Sequence, residues 1–572
     1  MTPDKQSRRN WLVSTASLGT GLIAANGFGA EPAAKANGDK DLGARTYNIR
    51  DFGAKGDGAT LDTAALQAAI DTCNREQGGT VLVPAGVFVI GTVELKSNVT
   101  LHIAAQGKLL GSADGKQYHA AEAIPLSGDS TLNDGNVGLL FAVNAENVTV
   151  EGPGTIDGQG AQFRSPSRGV PSPAGIGGSH RPYHLLFHRC KNLAVRDIFL
   201  KDSAFHSVRI IQSSYVQLER IHIYNRVNHN NDGFHFISSQ YVHVTNCDVE
   251  CQDDACALFG SCKFVTVSNC SFSTRWSVFR FGGGEAENIT VSNCLIYETY
   301  GCPIKMRCGP GSRFENMSFS NLVMKNVTGP ISIGLGPRGP RRQPANATAG
   351  DAATNAPPAD AESNAPPGIV RNISFRGIHA TVTVPVPLPD VAFVSNYNPG
   401  EIKSCIGLNG VEAFIENITF DDVHVTFPGG GTREEAAVRD VPKIVGEYYQ
   451  AGVFPAYALF ARNVRGLTMN NVRFAVAGSE ARPAVVFDHV QDAAINGLNV
   501  QGTREAESLL RFIETRDVLL SATRVLSAAP VFLQIEGASS GDILVEGGDL
   551  RKAAEPLAFA AGAAKDAVKL RG

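Results

Sequence analysis

The chain has 572 residues, a formal net charge of −4 and a pI near 6.4, with no basic block along its length. That argues against nucleic acid as a partner, because release of condensed counterions needs a clustered cationic face. Its 60 glycines against 2 tryptophans suit a turn-rich β protein better than a helical bundle.

Ser7-Arg8-Arg9-Asn10-Trp11-Leu12 resembles a twin-arginine export signal. A weakly apolar stretch from Leu12 to Ala25 follows, and Ala34-Lys35-Ala36 offers a small-x-small cleavage site. The stretch is too short and too rich in Ser, Thr and Gly to span a membrane. Residues 1–36 are therefore read as a signal peptide and 37–45 as a linker. The expectation is a bacterial periplasmic or secreted protein that folds before it crosses the membrane.

Residues 46–572 are expected to form a single β-helix domain. A helix is predicted near its start, with Asp62 as N-cap and Leu66, Ala69, Ile70 and Cys73 on one face. It would cover the open edge of the first coil.

One pattern then recurs to the end of the chain: an apolar-polar-apolar triplet, two turn residues and another short strand. It reads Val148-Thr149-Val150, Leu193-Ala194-Val195, Val216-Gln217-Leu218, Val242-His243-Val244, Val265-Thr266-Val267 and Ile289-Thr290-Val291. Later copies include Met317-Ser318-Phe319, Ile373-Ser374-Phe375, Ile418-Thr419-Phe420 and Leu467-Thr468-Met469. Period-two alternation marks half-buried strands, and a repeat of roughly 25 residues buries its apolar face only by stacking on neighbours. The fold class predicted is all-β, a right-handed parallel β-helix with an N-terminal capping helix. Longer gaps, such as that from Val150 to Val195, are expected to hold two coils. Residues 336–368, rich in Pro, Ala, Asn and Gly, read as a mobile loop insertion.

Eleven cysteines cannot all pair within the chain. Cys247, Cys270 and Cys294 each follow an Asn and suggest an interior ladder of thiols. Asn246, Asn269 and Asn293 suit a left-handed bend and a stacked amide ladder. Local bridges, Cys251 to Cys256 or Cys302 to Cys308, stay open, and no paired C-x-x-C points to a metal.

Asn230-Asn231-Asp232-Gly233 closes one coil, and Gln252-Asp253-Asp254 takes the matching place on the next. Asp232 and Asp254 should be neighbours along the stack, about 4.8 Å apart in rise. Asp253 reaches solvent beside them only if the chain bends there. Three crowded carboxylates repel one another, which raises at least one pKa and keeps a proton donor near neutral pH. Glycoside hydrolysis needs such a donor and a carboxylate that activates water. An acidic turn and a calcium site are the competing readings. Counting back from Gly260, Gly282 and Gly309 aligns Leu258, Arg280 and Arg307 and sets Lys305 on the same face. Arg280, Lys305 and Arg307 would then gather beside the aspartates, to bind a sugar carboxylate or to balance charge.

These motifs resemble glycoside hydrolase family 28, the polygalacturonase-like enzymes. The resemblance begins at Asp51-Phe52-Gly53-Ala54-Lys55-Gly56-Asp57-Gly58, runs through Gly154-Thr155-Ile156-Asp157-Gly158 and Arg181-Pro182, and covers roughly residues 46 to 335. Its more specific part is Asn230 to Gly233 with Gln252 to Asp254, similar to the family's Asn-Thr-Asp-Gly and Asp-Asp motifs. The resemblance implies Asp253 as general acid, Asp232 and Asp254 as holders of the attacking water, inversion at the anomeric carbon, and Lys305 in substrate binding. Asn230 joins the substrate-binding set with Arg280 and Arg307. The family's Arg-Ile-Lys survives only as Pro303-Ile304-Lys305, and its Gly-His-Gly is missing, since Thr274 to Gly284 holds no His. The expectation is thus an exported, monomeric, cofactor-free hydrolase of galacturonate-containing polysaccharide. A polysaccharide lyase and a non-catalytic carbohydrate-binding β-helix are the alternatives.

Overall fold

The period-two triplets stack as parallel rungs. Leu193 lies between Val148 and Val216, and the column continues through Val242, Val265, Ile289, Met317, Ile373 and Ile418. The apolar residues of each triplet point inward and are buried, while the polar one between them faces outward. Each coil carries three strands, as in Phe234–Ile237, Gln240–Thr245 and Asp248–Cys251. From Glu285–Thr299 to Ile415–Phe427 the second and third strands run on as one. The result is a parallel β-helix, in which every coil covers the apolar face of the one before. Phe319, Phe375 and Phe420 stack through the core with ring centroids 5.3 and 5.2 Å apart. Each such buried ring contributes about 1.5–3 kcal/mol.

The computed structural model describes residues 42–121, 136–164, 174, 181–337, 365–384, 404–446 and 452–571. Leu42 to Gly572 form one structural unit. The export signal, most of the linker and most of the 336–368 insertion lie outside the described residues. No helix among the described residues is long and apolar enough to cross a membrane.

The bends are built largely from left-handed asparagines. Asn147 donates its amide to Asn98 at 2.8 Å, and Asn192 donates to Asn147 at 3.0 Å. A second ladder runs from Asn321 to Asn293 and from Asn293 to Asn269, and Asn246 shares its left-handed backbone with φ of 55°. For three coils the first ladder is aromatic instead: Tyr215, Tyr241 and Phe264 stack at 4.9 and 5.0 Å.

Three expectations need correction, and one open alternative, the local bridges, is closed. The gap from Val150 to Val195 holds one coil, since these residues are direct neighbours. The same is true of Phe319 and Phe375, Phe375 and Phe420, and Phe420 and Met469. Each long gap is a single coil with an enlarged connection, so equal coil length was the wrong assumption. Second, Asp62 precedes the helix Thr63–Arg75 but makes no side-chain cap; its carboxylate accepts the Lys55 and Gly56 N–H groups at 2.7 and 3.0 Å. The helix still buries Leu66, Ala69, Ile70 and Cys73. All eleven cysteines are buried and free, so neither local bridge forms. Third, the alignment of Arg280 changes, as described below.

Candidate active site

Asn230 to Gly233 and Gln252 to Asp254 each join the third strand of a coil to the first strand of the next. Those first strands pair Phe234 with Cys256, so Asp232 and Asp254 hold corresponding positions on adjacent coils. The bend at Asp253 is templated by Asn231. Its carbonyl accepts both the Gln252 and Asp253 N–H groups at 3.1 Å. Its own side chain accepts from Val227 and Asn228 and donates to the Ser203 and Phe205 carbonyls. With two successive amides aimed at one carbonyl, residues 252–254 leave strand geometry and the two aspartates need not point to opposite faces. Gly233 permits this approach: a Cβ there would lie 2.5 Å from the Ala255 carbonyl oxygen.

Asp253 is half-buried, while Asp232 and Asp254 are buried. Asp253 accepts the Asp254 N–H at 3.0 Å and the Asn230 side-chain amide at 3.3 Å. Arg181 in turn donates to Asn230 at 3.1 Å, so Asn230 links a cation to the carboxylate. Burial and then the Asp254 charge push Asp253 up to about 7, although Lys305 opposes the shift. Burial, Asp253 and Asp254 also hold Asp232 well above the usual carboxylate range, against Arg209 and Arg181. Asp232 thus feels both neighbours and Asp253 feels Asp254, so the cluster keeps a proton near neutral pH.

Behind Asp232 stands a group absent from the expected site. His235 Nδ1 lies 2.7 Å from Asp232, and His206 Nε2 lies 3.5 Å away. Arg209 donates to His206 Nδ1 at 3.3 Å, which leaves the imidazole proton on Nε2, facing Asp232. Burial holds both histidines well below the usual range, so they serve as neutral donors. Their ligand-type atoms and those of Asp232 lie within 4.8 Å of one another. The two rings, however, stack nearly parallel at 4.4 Å. In-plane lone pairs of parallel rings run side by side and do not converge on one ion. With Arg209 and Arg181 beside them, these residues fit hydrogen bonding to a carboxylate better than a cation.

On the first sheet the register sets His235 beside Ala257, Ala257 beside Arg280, and Arg280 beside Lys305. Arg280 therefore aligns with Lys305, and Arg307 with Gly282, in place of the predicted column of Leu258, Arg280 and Arg307. The three cations share one face but diverge. Lys305 is fully buried, stands 4.3 Å from the Trp276 ring centroid and acts on Asp253. Arg280 is half-buried over the Phe259 ring. Arg307 donates to the Met306 and Ser332 carbonyls and to the Ser332 hydroxyl, and lines a small cavity with Gly334, Gly407, Val445 and Phe454. Sequence reasoning missed His206, Arg209, His235 and Trp276 and gave Arg181 no role.

A parallel β-helix with carboxylates at the coil junctions and cations on the adjoining sheet face defines the class: an all-β solenoid with a charged cluster on one sheet. Residues 73–336, a little under half of the chain, match the model of glycosyl hydrolases family 28. It is 26% identical over 297 residues to an exopolygalacturonase of Platanus acerifolia, covering 50% of this chain and 74% of the relative. It is 30% identical over 337 residues to an exo-poly-alpha-D-galacturonosidase of Dickeya chrysanthemi, covering 50% of this chain but 56% of that relative. The structure of an exopolygalacturonase from Thermotoga maritima superposes with TM-score 0.54 at 19% identity, covering 75% of this chain and 92% of that one, which is a likeness of fold.

Proposed function

We propose that this protein hydrolyses glycosidic bonds of galacturonate-containing polysaccharide, with Asp253 as the acid that protonates the leaving oxygen. The observation that carries the reading is the placing of Asp253 beside Asp254 at the coil junction, where burial and then the Asp254 charge lift it to about 7 while its side chain stays half-buried and not fully enclosed. Asp232, braced by two imidazole donors, and Asp254 hold and activate the water, so that attack comes from the opposite face with inversion. Lys305 and Arg280 meet the sugar carboxylates. The names of the relatives, polygalacturonases of plants and bacteria, support the substrate class.

We also read the protein as exported in folded form. Eleven buried free thiols, three of them stacked at Cys247, Cys270 and Cys294, suit a chain that folds where thiols stay reduced and crosses the membrane afterwards.

The test is incubation with polygalacturonate, following new reducing ends and the anomer first released. Reducing ends with an inverted anomer are expected. Absorbance of a new C4–C5 double bond would make the protein a lyase, and binding without any cleavage would make it a carbohydrate-binding solenoid.

A further inference from the structure

We infer that the coils beyond the family match wall off the groove over the first sheet, so that the protein takes its polysaccharide by a chain end and not along its length. This rests on the hydrolase reading above. Alternate residues of a first-sheet strand point outward, and an open groove leaves them exposed. They are half-buried at Phe259 and Arg280, on two neighbouring rungs. On the next two rungs Lys305, Arg307 and Ser332 are buried, although they point the same way. On the other side His235, Ile237, Arg209 and Ile211 are buried as well, the isoleucines in an outer apolar cluster with Tyr183, Leu186 and Phe205. The floor that remains open is short: between the buried rungs of His235 and Lys305 lie only those of Phe259 and Arg280, one step of roughly 4.8 Å apart at the spacing of parallel strands.

The wall on the far side is the connection between Phe427 and Leu459, described at 428–446 and 452–458. It comes close at two glycines of the sheet, Gly334 and Gly407. A Cβ on Gly334 would sit 2.6 Å from Val445 Cγ1, and one on Gly407 3.2 Å from Phe454 Cε2. The strap is fastened by residues outside the family match. Asn409 donates to the Ile444 carbonyl at 3.1 Å and Arg462 to the Val441 carbonyl at 2.8 Å. Arg511 donates to the Ala436 carbonyl at 2.7 Å, and Arg439 pairs with Glu536 at 2.7 Å through both its Nε and Nη2. A buried Glu480–Arg482 pair holds both ends: Glu480 accepts the Gly431 N–H at 3.1 Å, and Arg482 donates to the Phe454 and Ala456 carbonyls at 3.3 Å. Six anchors spread from Asn409 to Glu536 make the strap part of the solenoid. The later coils thus fix where the substrate must stop.

The experiment compares viscosity loss with new reducing ends on long polygalacturonate chains, for the full-length protein and for a variant with residues 440–455 replaced by a short Gly-Ser linker. The unaltered protein is expected to need at least tenfold more cleavages than the strap variant to halve the viscosity, and to release short products from the first minutes. Halving after as few cleavages as the strap variant needs would overturn the wall while leaving the hydrolase reading intact. If the linker variant does not fold, Val445→Ala with Phe454→Ala replaces it, with the same expected direction. No reducing ends from any galacturonate-containing chain would sink the hydrolase reading, and this inference with it.

Discussion

Two stretches of the solenoid differ in how far the chain travels per turn. Stacked asparagines and their equivalents recur after 23, 24 or 28 residues on the coils around the aspartates. Farther on they recur after 56, 45 and 49 residues. The cross-section of the core is the same, because the strands pair in the same columns throughout. The excess therefore goes into connections outside the core. In the compact stretch the connections are so short that the carboxylates must sit where the coils join. In the extended stretch they are long enough to fold back over the sheet. On the reading proposed above, chemistry sits on the first stretch and access is governed by the second.

The comparison breaks most directly at Asp253. If the compact stretch holds the acid, Asp253→Asn should lower kcat on polygalacturonate by about a thousandfold, within the range for loss of a general acid. Asp232→Asn should cost a similar factor. Retention of more than a tenth of the rate by either variant would remove that residue from the mechanism.

The next effect is in pH. Asp253 must be protonated to act, so the rate should fall as pH rises through about 7. Stability follows the same group. Its folded pKa, about 7, lies above the ordinary 3.8, so the folded state keeps a proton that the unfolded chain has lost. That contribution is present at low pH and disappears as pH rises from about 4 through about 7. Asp253→Asn should accordingly raise Tm at pH 8 and change it little at pH 4. An unchanged difference across that window would mean that the carboxyl is not held up by its neighbours.

Lys305 comes third. It is the cation that opposes the rise in Asp253, so Lys305→Met should move the alkaline limb of the rate profile to higher pH. Loss of a partner for the sugar carboxylate should raise KM about tenfold, equivalent to about 1.4 kcal/mol. A shift of the limb to lower pH would show that Lys305 does not act on Asp253.

The same contrast explains what could be read in advance. In the compact coils counting residues amounts to counting register, so Asp232 and Asp254 could be matched from spacing alone. The count failed within one strand, where Arg280 and Arg307 were aligned from glycines whose bends differ in length. In the extended coils spacing misled, because a coil with a long connection has the length of two coils. His206, Arg209 and His235 were hidden for another reason. His206 and Arg209 belong to the rung before Asp232 and His235 to its own, and nothing in a single chain marks an outward histidine as a brace until its rung is known to face Asp232.

The smallest effect separates the two stretches most cleanly, because it uses one substitution type at two places. Gly301 lies under Trp276, where a Cβ would stand 2.6 Å from the ring at Cδ2, and the same ring supports Lys305. Gly334 lies under Val445, with a Cβ 2.6 Å from its Cγ1. Adding a methyl group to either close contact should cost about 1–3 kcal/mol of stability. Gly301→Ala shifts a ring bonded into the compact core, so Lys305 moves and KM should rise with the loss of stability. Gly334→Ala presses on a connection that can yield, so its stability cost should fall at the lower end and KM should hold. Its mark should instead be faster proteolytic cleavage between residues 440 and 455. If Gly301→Ala left KM unchanged while Gly334→Ala raised it, the division of labour between the two stretches would be reversed.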